Sequence, residues 1–516
     1  MRGEDTQKKA DIIVMPYNYL ISPSIRATLS IDWSRTVVVF DEAHNLESSC
    51  ESATSYDLSS EDISGCIEEC DLVVEHLSDS LSRIFAESDL PSEDNVLRIK
   101  SFLLEFERSV DDMKIGSTHS GQYAYDLMSR HHVDFNTVNA LLPEIDKIIN
   151  VLKGIGRYRT QDTRLQKFRK LLSFLFKGES AEIARATTAL HYKIYVEGTT
   201  SRKKSSSRCL KFWCFSPSVA FRDLLDLGVR SAILTSGTLA PLSITAKEFR
   251  QTFPIRLENP HIIRDHQVWC GALSKGVTSK IVNGSFKNRN TSAYKSEVGN
   301  TIANMARIVP DGLLVFFASY SMLQQCVTFW QNYQDGTIWN RILIHKHIVV
   351  EPRTGGANAF KETSEEYENA LLESGGSKRR NGCLFLAVCR GKASEGIDFS
   401  DYRARAVVIV GIPYPPFKDP YVMGKRKYLD EIRTKSGMNE KRMHSTGEEW
   451  YATQAARAVN QAIGRVIRHK DDFGAIVLFD ERFCSTRQRS RLSSWLRPYY
   501  KTCKHFGEVV RVLFVS

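Results

Sequence analysis

Thr36-Val-Val-Val-Phe-Asp-Glu-Ala-His44 is the stretch from which the rest of the chain is best read. The β-branched and aromatic run Val37 to Phe40 predicts a strand, and the run stops at two adjacent carboxylates. A strand is rigid, so acids at its tip are aimed. Nucleotide hydrolysis requires that: Mg²⁺ must be held against the phosphates and a water aligned for in-line attack. In this reading Asp41 holds Mg²⁺ and Glu42 orients the water. A bare Asp-Glu pair also ends many ordinary core strands. The Ala43-His44 that follows is what narrows the choice.

The second informative stretch is Gln461-Ala-Ile-Gly-Arg-Val-Ile-Arg468, which continues apolar positions Tyr451, Ala455, Ala458, Val459, Ala462 and Ile463 at helical spacing. Ser445 and Thr446, each with a Glu three residues on, are overlapping capping-box candidates for the start of that helix. On one continuous helix Gln461, Arg465 and Arg468 share a face, and Gly464 keeps the neighbouring surface low. Two guanidiniums placed so can stabilise charge on a transferring phosphoryl group, a role worth roughly 10³ to 10⁵ in rate. An arginine-bearing helix face is otherwise plain solvated surface. The run gains weight only beside the first.

Together, in this order, these stretches resemble the DEAH-type superfamily 2 DNA helicases. Thr235-Ser-Gly-Thr-Leu-Ala-Pro241 looks like the family's motif III, and Gly312-Leu-Leu-Val-Phe-Phe-Ala-Ser-Tyr320 is similar to its motif IV. Arg390-Gly-Lys-Ala-Ser-Glu-Gly-Ile-Asp-Phe399 matches motif V of the branch that carries an iron–sulphur cluster. Within that branch, Ala10 to Leu20, Leu257 to Ile263 and Arg457 to His469 resemble the regulator-of-telomere-elongation group. The resemblance implies ATP-dependent 5′ to 3′ unwinding of DNA in the nucleus, in DNA repair and telomere maintenance, with ATP and Mg²⁺ as cofactors and single-stranded and duplex DNA as partners. Protein partners are not implied.

By the same resemblance, nucleotide lies between two RecA-like blocks, with Asp41 and Glu42 on one wall and Arg465 and Arg468 on the other. His44 and Gln461 sense the γ-phosphate, and Gly464, Glu395 and Asp398 lie near the nucleotide. Thr235 and Ser236 couple the nucleotide to DNA, while Thr238, Arg390 and Lys392 face DNA.

Two expected features are missing. No Gly-x-x-x-x-Gly-Lys-Ser/Thr occurs in the 516 residues, so the backbone nest and lysine that cradle phosphates in P-loop enzymes are absent. The family's 4Fe-4S cluster is held by four cysteines between that loop and the DEAH strand, and no cysteine precedes Thr36. The expectation is a family member truncated at its N-terminus, without cluster ligands. The alternative is an inactive DNA- or partner-binding fragment.

Composition fits a nucleic-acid-facing chain with several cores. It is 42% hydrophobic and 25% charged, with a formal net charge of +10 that suits a polyanion. Its start is polar, and no apolar run approaches the ~18 residues of a membrane span. The eleven cysteines lack a repeated pair spacing, as expected for reduced, mostly buried thiols. Cys66-x-x-x-Cys70 sits in a probable helix and Cys383 to Cys389 spans a strand, which argues against zinc.

The predicted fold is α/β, with two RecA-like parallel-sheet domains and a mostly helical arch-type insertion. Residues 1–60 and 191–256 form the first block, with β-rich runs at Ala10 to Tyr17, Thr36 to Asp41, Tyr192 to Val196, Leu210 to Phe215 and Ser231 to Thr235. Residues 61–190 carry apolar residues at helical spacing, including Val96, Ile99, Leu103 and Phe106, as either an arch or a plain packing module. Residues 257–516 alternate strands and helices, the pattern of a parallel sheet covered on both faces. Loops are expected at Thr199 to Arg208, Thr278 to Ser296 and Ser374 to Asn381, where the pair Lys203-Lys204 and the triplet Lys378-Arg379-Arg380 are open to three readings: solvated surface, phosphate contact or nuclear import.

Overall fold

The computed structural model describes residues 10–79, 90–154, 162–177, 181–199, 207–374, 381–396, 399–437 and 440–515. The basic clusters at 203–204 and 378–380, and Asp398, lie outside the described residues. The chain forms two compact units. One comprises the described residues within Met1–Phe40, Asn45–Ile233 and Asp419–His444, the other Asp41–His44, Leu234–Lys418 and Ser445–Ser516. Among the described residues no helix is long and apolar enough to cross a membrane.

In the first unit β1 (Val37–Phe40), β2 (Tyr56–Ser59), β3 (Thr118–Ser120), β4 (Tyr192–Thr199), β5 (Ser207–Cys214) and β6 (Ser231–Leu234) make two sheets. Among the described residues β1 pairs with β6 alone. Arg230 N donates to Thr36 O and Ala43 N to Thr235 O, so partners ascend together along the two segments and the pair is parallel. The other sheet has the order β2-β5-β4-β3 and is antiparallel throughout.

That pairing corrects the sequence reading at two places. β4 and β5, assigned from sequence to the block of β1, pair instead with β2 and β3 and pack on the helices between them. Ala10 to Tyr17 is not a strand; Ile12 and Val14 are exposed and a short helix begins at Tyr17. β propensity is realised only where a neighbouring strand supplies the ladder.

The helices follow the apolar periodicity. Glu93–Asp111 starts at Ser92, whose hydroxyl accepts from Asn95 N, and buries Val96, Ile99, Leu103, Phe106 and Val110. Arg164–Leu175 starts at Thr163 and buries Leu165, Phe168, Leu171, Leu172 and Leu175. These faces meet one face of the antiparallel sheet, through Ile194, Val196, Leu210 and Phe212, in one core. A helix from far along the chain, Pro420–Lys435, also belongs to this unit. Lys425, fully buried, donates to Glu51 Oε1 at 2.5 Å and to Phe215 O at 2.7 Å; Tyr421 Oη donates to Glu51 Oε2 at 2.5 Å.

The second unit is built on β7 (Val268–Leu273), β8 (Asp311–Phe317), β9 (His347–Val350), β10 (Gly382–Val388), β11 (Ala406–Val410), β12 (Gly474–Phe479) and β13 (Tyr500–Cys503). They form one sheet in the order β13-β7-β12-β11-β8-β10-β9, with every pair parallel. Such a sheet needs cover on both faces, and β8 shows how it is met: Leu314 and Phe316 enter one core, Leu313, Val315 and Phe317 the other. The C-terminal ends of adjacent parallel strands share one edge, where α/β proteins place ligands. The loop foreseen at Thr278 to Ser296 is shorter, because Thr291 caps a helix that begins at Ser292.

Candidate functional site

Asp41 and Glu42 stand at the end of β1, and the Thr235 to Thr238 loop stands at the end of β6. Parallel pairing brings these two ends together. Thr235 Oγ1 donates to Asp41 Oδ1 at 3.0 Å, and Glu42 N donates to the same oxygen at 3.0 Å, which fixes the carboxylate. Ser236 Oγ donates to Glu42 Oε2 at 3.1 Å. His44 Nδ1 lies 2.9 Å from Ser236 Oγ and 3.1 Å from Glu42 Oε2. Ser236 has one proton and gives it to Glu42, so both His44 contacts place the imidazole proton on Nδ1. Thr238 joins through its backbone N, 3.1 Å from Ser236 Oγ.

The Glu42 side chain is 65% exposed despite these bonds, so it can reach a solvent-side ligand. Glu42 has φ +47°, a left-handed conformation that costs a non-glycine residue of order 1 kcal/mol or more. That strain turns the chain sharply at the strand tip and points successive side chains apart. Both carboxylates are exposed and both are oriented by hydrogen bonds, a pairing that suits a Mg²⁺-bound phosphate and its water.

The second group of site residues surrounds the turn after β10. Arg390 adopts φ +66°, and its Nη2 donates to Gln454 O at 2.7 Å. Lys392 donates to Gly356 O. Both are exposed. Glu395 lies in the short helix Lys392–Gly396.

The arginine stretch corrects the helical argument. The helix Gly447–Ile463 is capped at its start by the reciprocal Thr446–Glu449 pair, one of the two foreseen, and ends with Gly464 as its C-cap. Gln461 is on the helix; Arg465 and Arg468 are beyond it, so the three do not share a helical face. Arg465 N and Val466 N bond back to Ala462 O and Ile463 O, the tightened turn usual at a helix end. Burying Val466 and Ile467 in the core then takes precedence over helical spacing. Arg465 is aimed by tertiary contact instead: Nε and Nη2 donate to Ser394 O at 2.9 and 2.6 Å. Arg468 N is held by Asp472 Oδ2 at 3.2 Å.

Sequence reasoning missed Glu351. It is 3% exposed and follows β9. Its Oε2 accepts from Val388 N at 2.8 Å, and its Oε1 from Ala393 N at 3.2 Å and Tyr320 Oη at 3.1 Å. Burial and this carboxylate push the Tyr320 hydroxyl up to about 12. The signal was present, since His347-Ile-Val-Val-Glu351 is an apolar run ending in an acid, the pattern that revealed Asp41.

All eleven cysteines are free and ten are buried. Among the described residues the one group of potential ligands within reach of a single ion is Asp401, His469 and Asp472, which contains no cysteine. Asp472 is already occupied: Oδ1 accepts from Phe473 N and Arg405 Nη1, Oδ2 from Asp401 N and Arg468 N. That group orders the backbone of Arg468.

Comparison with known proteins agrees with this arrangement of stretches. A family model described as helicase C-terminal domain matches residues 302–499, one described as RTEL1 helicase, ARCH domain matches 65–217, and one described as DEAD_2 matches 3–63. The regulator of telomere elongation helicase 1 homolog of Oryza sativa subsp. japonica is 41% identical over 99% of this chain and 52% of its own length. The chain shows strong homology to the regulators of telomere elongation helicase. The mouse regulator of telomere elongation helicase 1 is 38% identical over 99% of this chain and 44% of its own length, so the chain spans about half the length of the curated relatives it matches. The solved structure of S. tokodaii Xpd4 shares the fold, with TM-score 0.54 and 16% identity over 96% of this chain and 83% of that one.

Proposed function

We propose that this chain carries the hydrolytic carboxylates, the arginine stretch and the arch of a DNA-dependent ATPase that unwinds DNA in the nucleus. The observation that supports this most is the bonded Asp41, Glu42, His44, Thr235, Ser236 cluster, in which two stretches far apart in sequence meet at one strand edge. Bound ATP and Mg²⁺ would supply the phosphoanhydride whose hydrolysis drives stepping. Asp41 holds the metal, and Glu42 orients the attacking water, with Ser236 and His44 setting its direction. Gln461, Gly464, Glu395 and Asp398 contribute to nucleotide binding, while Arg465 and Arg468 stabilise developing negative charge. Thr235 and Ser236 report nucleotide state to the DNA contacts Thr238, Arg390 and Lys392. The helices and antiparallel sheet within residues 61–214 act as the arch and guide a single strand.

A second reading is favoured by one observation: the 516 residues contain no phosphate loop. Without that nest of N–H groups most of the binding energy for ATP is lost, and the chain acts as a DNA-binding module. Strand separation decides between them. The chain alone, and the chain fused to a phosphate-loop segment of a helicase relative, are incubated with 5′-tailed and 3′-tailed duplexes. Unwinding of the 5′-tailed duplex by the fusion alone supports both the site and the requirement. Failure of the fusion with DNA still bound supports the second reading.

A further inference from the structure

We propose that Glu351 is a positioning residue that holds the turn 388–394 in the form that presents Arg390 and Lys392 to DNA phosphate and Ser394 O to Arg465. This rests on the reading that Arg390 and Lys392 meet DNA. Glu351 does not touch DNA in this scheme; it is buried behind the turn and acts through it.

Three observations converge. First, one carboxylate accepts from both sides of the turn, Val388 N and Ala393 N, and from Tyr320 Oη on the neighbouring strand end. Its own N donates to Leu386 O at 2.9 Å, which fixes it to β10. Second, the turn closes over that carboxylate at Gly391. A Cβ there would sit 2.5 and 2.6 Å from the two Glu351 oxygens and 2.8 Å from Val388 O, so only glycine allows the contact. Third, the strained residue is Arg390, at φ +66°. A left-handed arginine persists only where its surroundings over-determine it, and Glu351 supplies two of the backbone bonds that do so. Ser394 completes the link: its Oγ donates to Gly391 O at 2.7 Å, and its carbonyl receives Arg465. Tyr320, the 388–394 turn and Arg465 are thus joined through one buried acid.

Glutamine at 351 keeps the shape but replaces one acceptor oxygen with a donor that faces backbone N–H groups. One side of the turn must release. The change also removes a negative charge, and charge alone would strengthen DNA binding. A positioning role predicts the opposite sign.

The test is the salt dependence of single-strand binding by the 516-residue chain, read by anisotropy of a labelled oligo(dT). Each phosphate contact on a single strand contributes about 0.7 to the slope of log affinity against log salt. Arg390→Ala with Lys392→Ala should lower the slope by about 1.4, and Glu351→Gln should lower it by about 0.7 to 1.4 with roughly tenfold weaker binding near 0.15 M salt. Partial unfolding reduces the bound fraction without altering the slope, so the slope separates positioning from plain destabilisation. Gly391→Ala should reproduce Glu351→Gln, and the two together should be no worse than either. Where Glu351→Gln does not fold, Gly391→Ala decides; where neither folds, Tyr320→Phe, the lightest change, must lower the slope in the same direction. A slope unchanged by Glu351→Gln but lowered by the Arg390 and Lys392 pair overturns the positioning role and leaves the DNA reading intact. A slope unchanged by that pair overturns the DNA reading itself.

Discussion

Replacing Lys425 with Met should loosen the Pro420–Lys435 helix from the unit that contains Glu51, and the size of the effect can be worked from the structure. Glu51 is 4% exposed and Lys425 is fully buried. Burial pushes the Glu51 carboxyl up to about 7, against the pull of Lys425 and of hydrogen bonds from Lys425 and Tyr421. Breaking a buried pair by removing one partner typically costs about 3 to 5 kcal/mol.

The remaining acid limits that cost by taking up a proton. At pH 7 the native protein already carries most of the penalty of burying this acid, because its carboxyl is held at about 7 even with Lys425 in place. The variant therefore loses chiefly the charged hydrogen bonds of Lys425, worth about 1.5 to 3 kcal/mol. Hydrogen exchange of the helix amides reads this directly. Protection, corrected for intrinsic rates, should fall roughly 10- to 150-fold at pH 7, since about 1.4 kcal/mol is tenfold. The sign with pH is fixed. Without Lys425 the folded carboxyl moves further above its unfolded value, so the defect grows as pH climbs past about 7, where the native carboxyl ionises and the variant's stays protonated. Glu51→Leu together with Lys425→Met should recover most of the protection, because a packed apolar pair replaces a buried charge at little cost. Unchanged exchange in Lys425→Met, or a defect no larger at pH 8 than at pH 5, would show that Lys425 does not hold this helix through Glu51.

Other outcomes follow from single sites. Lys346 is fully buried, donates to Asp311 O, and burial lowers its ammonium to about 7. The unfolded chain keeps that proton up to about pH 10.4, so this residue makes stability rise as pH climbs from about 7 towards 10. Lys346→Met should remove that rise, as measured by denaturation midpoints across the range. Thr446→Ala removes the cap of the Gly447–Ile463 helix and should cost about 1 kcal/mol by thermal melting of the second unit. In the phosphate-loop fusion, Arg465→Ala should reduce DNA-stimulated hydrolysis at least ~100-fold, with single-strand affinity within a few fold. Loss of binding with hydrolysis retained would reassign that arginine.

Much of the second unit was legible because parallel strands buried on both faces read as unbroken apolar runs: Leu313 to Phe317, Leu384 to Val388, Ala406 to Val410 and Ala475 to Phe479 all lie within β8, β10, β11 and β12. Helix starts were legible where a side chain performs the capping, as at Thr446. What periodicity could not supply was partnership. Tyr192 to Val196 reads as a strand in any sheet, and only the antiparallel register with β5 and β3 shows which. Ala10 to Tyr17 has a strand's composition and no strand beside it. Arg465 and Arg468 keep helical spacing past a helix that stops at Ile463, because burial of Val466 and Ile467 outweighs local propensity. Glu351 was legible in part: the apolar run His347 to Val350 ends in it as Val37 to Phe40 ends in Asp41, but the backbone N–H groups of residues 388 and 393 that it holds carry no side-chain signature.

The most direct test of the account is DNA-stimulated phosphate release by the phosphate-loop fusion and its Glu42→Gln variant, beside the 516-residue chain alone. Hydrolysis by the fusion should rise with single-stranded DNA, fall at least ~100-fold in Glu42→Gln, and be absent from the chain alone. Hydrolysis that survives Glu42→Gln would contradict the assignment of the β1 carboxylates as the hydrolytic site.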